Sequence, residues 1–546
     1  MSSKVAHYLQ EHLVGEVLDT PQIRRYFAVD GSVFTITPTL AVYPKNESDI
    51  RKVARFTWQL AERGRVIPIT ARGLGTDQSG AAIGSGIIMV FPAHMNRILE
   101  LDGKTGVVAI EPGIDIGKLQ QTLYTHGRCL PPFPFRFENG TVGGAIANNS
   151  RSDKSVKYGS IGQYVKGLRV VLANGEIIET KRLNKRELSK KLGLTNFEGD
   201  IYRSLDALLE ENQDEVDIMN RSLTKNSAGY NLGAIKHRDG SFDLTPLIVG
   251  SQGTLGIISE CIMSTELYSP ATTLIAAFFD DTRVAEEVIS ELIKLPDGPS
   301  VVEAIDSQLL GYIDRINPNQ LKSTINKPFP KLTLLIEFDN FSQRVQKRMV
   351  KKVEKLLKHY QVNYQTESEE AGQEKLWKIH RSTALLGAHG EGNNRAVPII
   401  EDGVVPLDRF SEYLEGLYEL ISKYKLTSGI WGHAGEANLH MRPILDLGQV
   451  GDRQKLFKLM DDYYHLVLSL GGSPSGANSD GRLRAPYLST MFGDKMYELL
   501  QKTKQIFDPY GTLNPGVKIN VTQNDNKPLL RSEYSASHTY DHLPLS

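Results

Sequence analysis

The stretch ITARGLGTDQSGAA, residues 69–82, constrains this chain more than any other. A β-type run at 66–70 leads straight into a loop with glycines at 73, 75 and 80. Glycine accepts positive φ and lets a ligand approach the backbone with no Cβ in the way. Successive N–H groups in such a loop form a concavity suited to an anion, and Thr76 and Ser79 add hydroxyls, so a phosphate or pyrophosphate is the natural guest. The Gly-x-Gly-x-x-x-x-Gly spacing differs from the Gly-x-Gly-x-x-Gly of a dinucleotide-binding turn. The Gly-Lys-Ser/Thr of a nucleoside-triphosphate loop does not follow it. An ordinary surface turn remains an alternative at this point.

At 546 residues the chain exceeds one hydrophobic core, and two or more domains are expected. Its net charge of −1 gives no support to nucleic acid as the main partner. No apolar run reaches the roughly 18 residues of a membrane span, and the opening MSSKVAHYLQEHL lacks the apolar core of a signal peptide. Cys129 and Cys261 are too few for a four-thiolate iron–sulfur cluster. A reducing cytoplasm is the expected compartment.

Residues 1–30 read as a helical lead-in. An extended run at 40–44 precedes a helix that Ser48 can cap, with Ile50, Val53, Thr57 and Leu60 on its apolar stripe. Further strands are expected at 86–91, 98–101 and 107–110, and a hairpin at 165–180 turns on Ala173-Asn174-Gly175. Small residues dominate 140–150, where a flat ligand could lie against the backbone, and Thr141, Asn148 and Asn149 offer polar contacts. A third glycine-rich stretch occupies 250–258. From about 270, strands at 272–279, 332–338, 397–405 and 426–431 alternate with helices at 285–295, 345–357 and 408–423. That pattern implies an antiparallel sheet with helices against one face, so the fold class is α+β.

Three small-residue loops in one N-terminal block resemble the FAD-binding domain of the vanillyl-alcohol-oxidase (PCMH-type) flavoprotein superfamily. The likeness is to the branch of FAD-linked D-lactate, glycolate and D-2-hydroxyglutarate dehydrogenases. The resemblance implies an FAD-binding domain over 1–268 (core 34–268), a cap or substrate domain over 269–485, a segment at 486–520 returning to the first domain, and a flexible tail at 521–546. It places the FAD pyrophosphate on the loop holding Arg72, Gly73, Gly75, Thr76, Asp77 and Gly80. The isoalloxazine and ribityl chain fall along Thr141, Gly143, Gly144, Asn148, Asn149 and Gly159. Ile258 falls at the adenine end, and Asn514 in the Asn-Pro-Gly turn near the ring. No histidine occurs in the first loop, so the flavin is expected to be non-covalent.

GHAGEANLH, residues 432–440, matches the family's Gly-His-x-Gly-Asp-Gly-Asn-x-His segment, whose two histidines bind a divalent metal such as Zn or Mn in many members. The resemblance therefore implies catalytic or metal-binding roles for His433 and His440, which a turn should bring together. Here Ala437 replaces the usual glycine. In the family's Ser-Gly-Glu-His-Gly segment, Ala477 stands for the metal-binding glutamate and Asn478 for the histidine proposed as base. Alanine offers no ligand and an amide is no general base. A third ligand would have to come from Glu436, Glu401 or Asp480. His380 occupies the place of a carboxylate-binding arginine, with Arg381 beside it, and Arg395 and Arg442 are other candidates.

The implied activity is oxidation of a small D-2-hydroxy acid by hydride transfer to flavin N5, electrons passing to a separate quinone, electron-transfer protein or oxygen. A metal-free flavoprotein acting on another alcohol or hydroxy acid, or a non-catalytic flavin binder, are the alternatives. The basic run 346–352 leaves a peripheral membrane contact open, against the commoner solvated helix face.

Overall fold

The computed structural model describes residues 4–132, 140–219, 225–322, 324–383, 386 and 392–535. Expectations at 133–134, 139 and 536–546 fall outside these residues.

The N-terminal half builds two sheets. The first has the order β1 (Glu16–Leu18), β2 (Leu40–Tyr43), β4 (Ile87–Val90), β3 (Ile69–Arg72), with β2, β4 and β3 parallel and β1 antiparallel to β2. Strand β4 is buried along its whole length, as a parallel strand covered on both faces must be. Helix α1 (Glu47–Ala61) buries Ile50, Val53, Ala54 and Thr57, the first three in one apolar cluster with Ile87 and Met89 of β4. Its cap is Asn46, whose side chain accepts from Asp49 N, and not the expected Ser48. The lead-in is likewise not purely helical, since β1 interrupts it.

The second sheet is antiparallel, in the order β5 (Ile98–Asp102), β6 (Val107–Ile110), β9 (Ile257–Ser264), β7 (Val165–Val171), β8 (Ile177–Thr180). The hairpin β7–β8 turns on Gly175 at φ 84°.

The second half is a six-stranded antiparallel sheet: β13 (Asn363–Glu367), β10 (Thr273–Phe279), β12 (Leu332–Phe338), β11 (Val301–Asp306), β14 (Ile430–His433), β15 (Asn438–Met441). Helices do not lie on one face only. Ile275, Ala277, Ile336 and Leu334 pack with α3 (Thr282–Ile293), α4 (Gln343–His359), α6 (Phe410–Tyr424) and α7 (Val450–Ser469). Leu274, Ala276 and Leu335 face the other way, onto Ser307–Ile316 and α5 (Glu370–Arg381). Strands β11 and β12 are buried at every position, which two covered faces require.

The expected strand at 397–405 is reduced to Arg395–Ala396, followed by isolated bridges from Ile400 to Met441 and from Val404 to Asn438 and Ser473. Pro398 and the left-handed Asp402, at φ 74°, interrupt any longer ladder.

The described part of the expected tail is anchored. Thr522 caps the turn Gln523–Asn526, Asn526 Nδ2 donates to Arg482 O at 2.7 Å, and Leu530 bridges to Phe34. Buried Arg531 donates to Phe34 O at 2.8 Å and Asp30 O at 2.5 Å. These anchors are polar, so a search for apolar periodicity passes over them.

Candidate active site

Strand β3 delivers its C-terminal end to the glycine loop. Asp77 folds that loop: its carboxylate accepts from Ser79 N at 3.0 Å, Ala81 N at 2.8 Å and Ser79 Oγ at 2.9 Å. Gly75 and Gly80 sit at φ 73° and 81°, and a Cβ on Gly80 would meet the Phe34 ring at 2.9 Å. Arg72 braces the loop from behind. Its buried guanidinium donates to Val29 O at 2.9 Å and Ala82 O at 3.0 Å and stands 5.2 Å over the Phe27 ring.

The second wall is a short helix, α2 (Val142–Asn148), where the sequence suggested an open loop. Thr141 caps it by accepting from Gly144 N, and Asn149 ends it at φ 49°. Gly143 lies flush on Pro112, donating N–H to its carbonyl at 2.8 Å. Any Cβ on Gly143 would meet Pro112 Cβ at 2.5 Å.

A chain of amides ties these walls to distant segments. Asn148 donates to Asp77 at 3.2 Å and accepts from Gln252 Nε2 at 2.7 Å. Gln252 Oε1 accepts from Gly481 N at 2.8 Å. Asn514 donates to Ala81 O at 2.9 Å and Gln252 O at 2.8 Å while accepting from Thr70 Oγ1 at 3.0 Å. Five separated stretches therefore converge on one cavity of about 350 Å³.

Arg72, Gly73, Gly75, Thr76, Asp77, Thr141, Gly143, Gly144, Asn148 and Ile258 line that cavity. Glu401, Asp402, His440, Asn478 and Arg484 from the second half of the chain line it too. Gly80, Asn149, Gly159 and Asn514 are not among its described lining residues and shape its walls instead. Gly159, at φ 69°, terminates the turn Ser155–Tyr158, and Asn149 Nδ2 donates to Ser227 Oγ at 3.3 Å.

The two motif histidines sit on the hairpin β14–β15, joined by the turn Ala434–Glu436 and by Ala437 at φ 50°. That left-handed angle explains why glycine suits position 437. The rings of His433 and His440 meet edge to face, 5.6 Å between centroids. Each has its own carboxylate. His433 Nδ1 lies 2.5 Å from Glu303 Oε1, and His440 Nδ1 lies 2.9 Å from Glu401 Oε2. Arg442 Nε donates to Glu401 at 2.5 Å, and Arg442 Nη2 donates to Gln78 of the glycine loop at 2.9 Å. Burial alone would raise the Glu401 carboxyl, but Arg442 and His440 outweigh it and hold it at about 2. Burial opposes ionisation of Glu303 too, and His433 and His380 still hold it well below the usual carboxylate range.

The remaining candidates lie elsewhere. Arg381 turns outward to Glu374 at 2.6 Å, half-exposed. Arg395 donates to the carbonyls of Gly392 and Asn394. His380 is buried with Nε2 at 3.3 Å from Glu303 Oε2. The guanidiniums lining the cavity are Arg72, committed to Val29 O and Ala82 O, and the buried Arg484, which donates to Ser479 O at 2.5 Å, while Arg442 reaches the glycine loop through Gln78. Glu436 is engaged by Arg151, Lys225 and Ser155, and Asp480 by Lys518 at 2.8 Å and Gly229 N at 2.9 Å. Ala477 N and Asn478 N both donate to Asp402, each at 2.7 Å, while Asn478 Oδ1 accepts from Ser150 Oγ at 3.1 Å. Among the described residues no three His, Cys, Asp or Glu side chains are grouped to hold a metal ion. The donor set does not complete the divalent-metal site that the family motif implies.

Gln78, Gln252, Glu303, Asp402 and Arg484 were not singled out from the sequence. Glu303 carried one signal, a charge inside the otherwise apolar run VVEAI.

A glycine-lined cavity between a phosphate-type loop and a histidine-bearing antiparallel cap is the architecture of a two-domain flavoprotein. Residues 38–181 match the family described as "FAD binding domain", and residues 269–517 match "FAD linked oxidases, C-terminal domain". The chain belongs to the FAD-linked oxidases. It is 27% identical to a D-2-hydroxyglutarate dehydrogenase of Escherichia coli over 97% of this chain and 53% of that protein. It is also 27% identical to a glycolate oxidase subunit of Bacillus subtilis, over 88% of each. The chain spans about half the length of the D-2-hydroxyglutarate dehydrogenases it matches. The 4-ethylphenol oxidase of Gulosibacter chungangensis shares the fold with a TM-score of 0.67 at 13% identity, covering 96% of this chain and 98% of that one.

Proposed function

We propose that this protein binds FAD non-covalently and oxidises a small D-2-hydroxy acid, handing the electrons to a separate acceptor. The observation that carries the reading is the position of His440. It lines the same cavity as the glycine loop, with its Nδ1 2.9 Å from the ionised carboxylate of Glu401. FAD, when bound, supplies the hydride acceptor. Gly73 to Asp77, Thr141, Gly143, Gly144 and Asn148 would hold it, because they are the residues that leave backbone and small side chains facing the cavity.

The rest of the chemistry belongs to the side chains. His440 Nδ1 stands 2.9 Å from Glu401 Oε2 as an ion-pair contact, and the ring of His440 can take the proton of the substrate hydroxyl. The negative Glu401 then stabilises the imidazolium formed. Arg442 and Arg484 supply positive charge for a substrate carboxylate. Ala477 and Asn478, in place of the family's glutamate and histidine, support proton removal by this carboxylate-backed histidine without a metal. Relatives named D-2-hydroxyglutarate dehydrogenase and glycolate oxidase support the hydroxy-acid class.

The test is an anaerobic absorbance titration of the purified protein with D- and L-2-hydroxy acids, before and after exhaustive chelation. Flavin bleaching by a D-isomer that survives chelation is expected. Protein isolated without flavin, or flavin that stays oxidised with every acid, rejects the reading.

A further inference from the structure

Helix α4 presents an exposed basic stripe that the site leaves unused. Its inner face, Met349, Val353 and Leu357, is fully buried against the cap sheet. Its outer face carries Arg344, Lys347, Arg348, Lys351, Lys352 and Lys355, all exposed and grouped around one shallow groove. These positions recur every three or four residues, so they share one side of the helix. With Lys358 the stripe runs for 14 residues' rise, about 21 Å.

Little on the described surface neutralises it. Of the six residues at the groove, Arg348 alone has an ion-pair partner among the described residues, Asp297 at 3.2 Å. The helix's one acid, Glu354, is half-buried and accepts from Thr366 Oγ1 at 3.0 Å. The whole chain has a net charge of −1, so this concentration of positive charge is local. Phe341 stands immediately before the helix cap Ser342 and is 73% exposed, the highest value among the exposed large apolar side chains.

We propose that this face docks the protein on an anionic phospholipid surface, with the lysines and arginines over the headgroups and the Phe341 ring entering the interface. Basic side chains near such a surface each contribute about fivefold in partitioning, and one aromatic ring adds a short-range apolar contact that an acidic protein surface would not demand. No helix among the described residues is long and apolar enough to cross a membrane, so the contact is peripheral. Helix α4 packs over β10, β12 and β13, at the opposite edge of the sheet from the β14–β15 hairpin that carries His433 and His440. Docking through α4 therefore leaves the cavity free.

Sedimentation of the purified full chain with extruded vesicles tests this. Phosphatidylcholine vesicles containing phosphatidylglycerol should carry the protein down at low ionic strength, and pure phosphatidylcholine vesicles should not. About 1 M salt, with its Debye length of about 3 Å, should release it. The double variant Lys351→Glu/Lys352→Glu should partition at least about tenfold less. Phe341→Ser should partition several-fold less at equal charge. All three residues are exposed, and an unchanged unfolding temperature confirms that each variant is folded. Failure to sediment with anionic vesicles, or a charge-reversed variant that binds like the parent, overturns the proposal. A face that captured only an acidic protein would give the first of these results.

Discussion

Glu303 and His433 face each other across the register of β11 and β14, with Oε1 and Nδ1 2.5 Å apart and Glu303 only 1% exposed. The second oxygen of the same carboxylate lies 3.3 Å from His380 Nε2, so one buried negative charge faces two rings. Glu303→Gln keeps the shape and removes the charge. It should lower kcat about 10- to 100-fold with little change in KM, because His433 loses its fixed tautomer beside His440. Flavin content should stay close to the parent's, while the unfolding temperature should fall, because a buried charge pair loses one partner. Steady-state kinetics with a responsive hydroxy acid check this, and an unchanged kcat would confine Glu303 to packing.

His440 is the histidine that reaches the cavity, and its removal should be more severe. His440→Ala is expected to slow anaerobic flavin reduction about 10²- to 10⁴-fold, the usual weight of a positioned general base. FAD should still bind, since the glycine loop and α2 do not depend on this ring. Stopped-flow reduction of the FAD-loaded variant separates the two effects. Reduction at the parental rate would remove His440 from the chemistry.

How far these sites could be read from the chain depends on the kind of interaction. The glycine loop was legible as bare backbone because that signal is local, but spacing left an ordinary turn open and the cofactor reading came from the family resemblance. The His433/His440 pairing was legible because Gly432 and Gly435 demand a turn. Gln252 was hidden, since an amide takes its role from partners far away in sequence, here Gly481 N and Asn148 Oδ1. Arg381 misled for the same reason. Its neighbour His380 points inward on α5, which sends Arg381 out to Glu374. Helices on both faces of the cap were missed because Leu274 and Ala276 look like any apolar strand residues until α5 covers them.

The amide chain predicts a structural phenotype. Gln252→Ala leaves Gly481 N and Asn148 Oδ1 without their partner and should cost about 1–3 kcal/mol in stability. It should also weaken FAD retention, because the Asn148 amide, which lines the cavity, is then held by Asp77 alone. Thermal unfolding with and without added FAD measures both. A variant as stable as the parent, with equal flavin content, would show that the walls hold their places without this link.

Asp306 gives a pH-dependent prediction with a definite sign. It is fully buried, caps Ser307–Ile316 by accepting from Leu309 N at 2.8 Å, and accepts from Ile430 N at 3.1 Å at the start of the histidine hairpin. Burial drives its carboxyl up to about 7 despite those backbone donors. Unfolded, it titrates near 4, so between about pH 4 and 7 the folded chain binds the extra proton. Stability contributed by this group is therefore complete below about pH 4 and declines as pH rises to about 7, by up to about 4 kcal/mol. Asp306→Asn keeps an oxygen for both backbone donors and carries no charge at any pH. The stability difference between variant and parent should move in the variant's favour as pH rises through that window and level off above it. Unfolding temperatures of the two proteins measured in parallel from pH 4.5 to 7.5 decide the matter: a constant difference would mean that Asp306 does not titrate on folding.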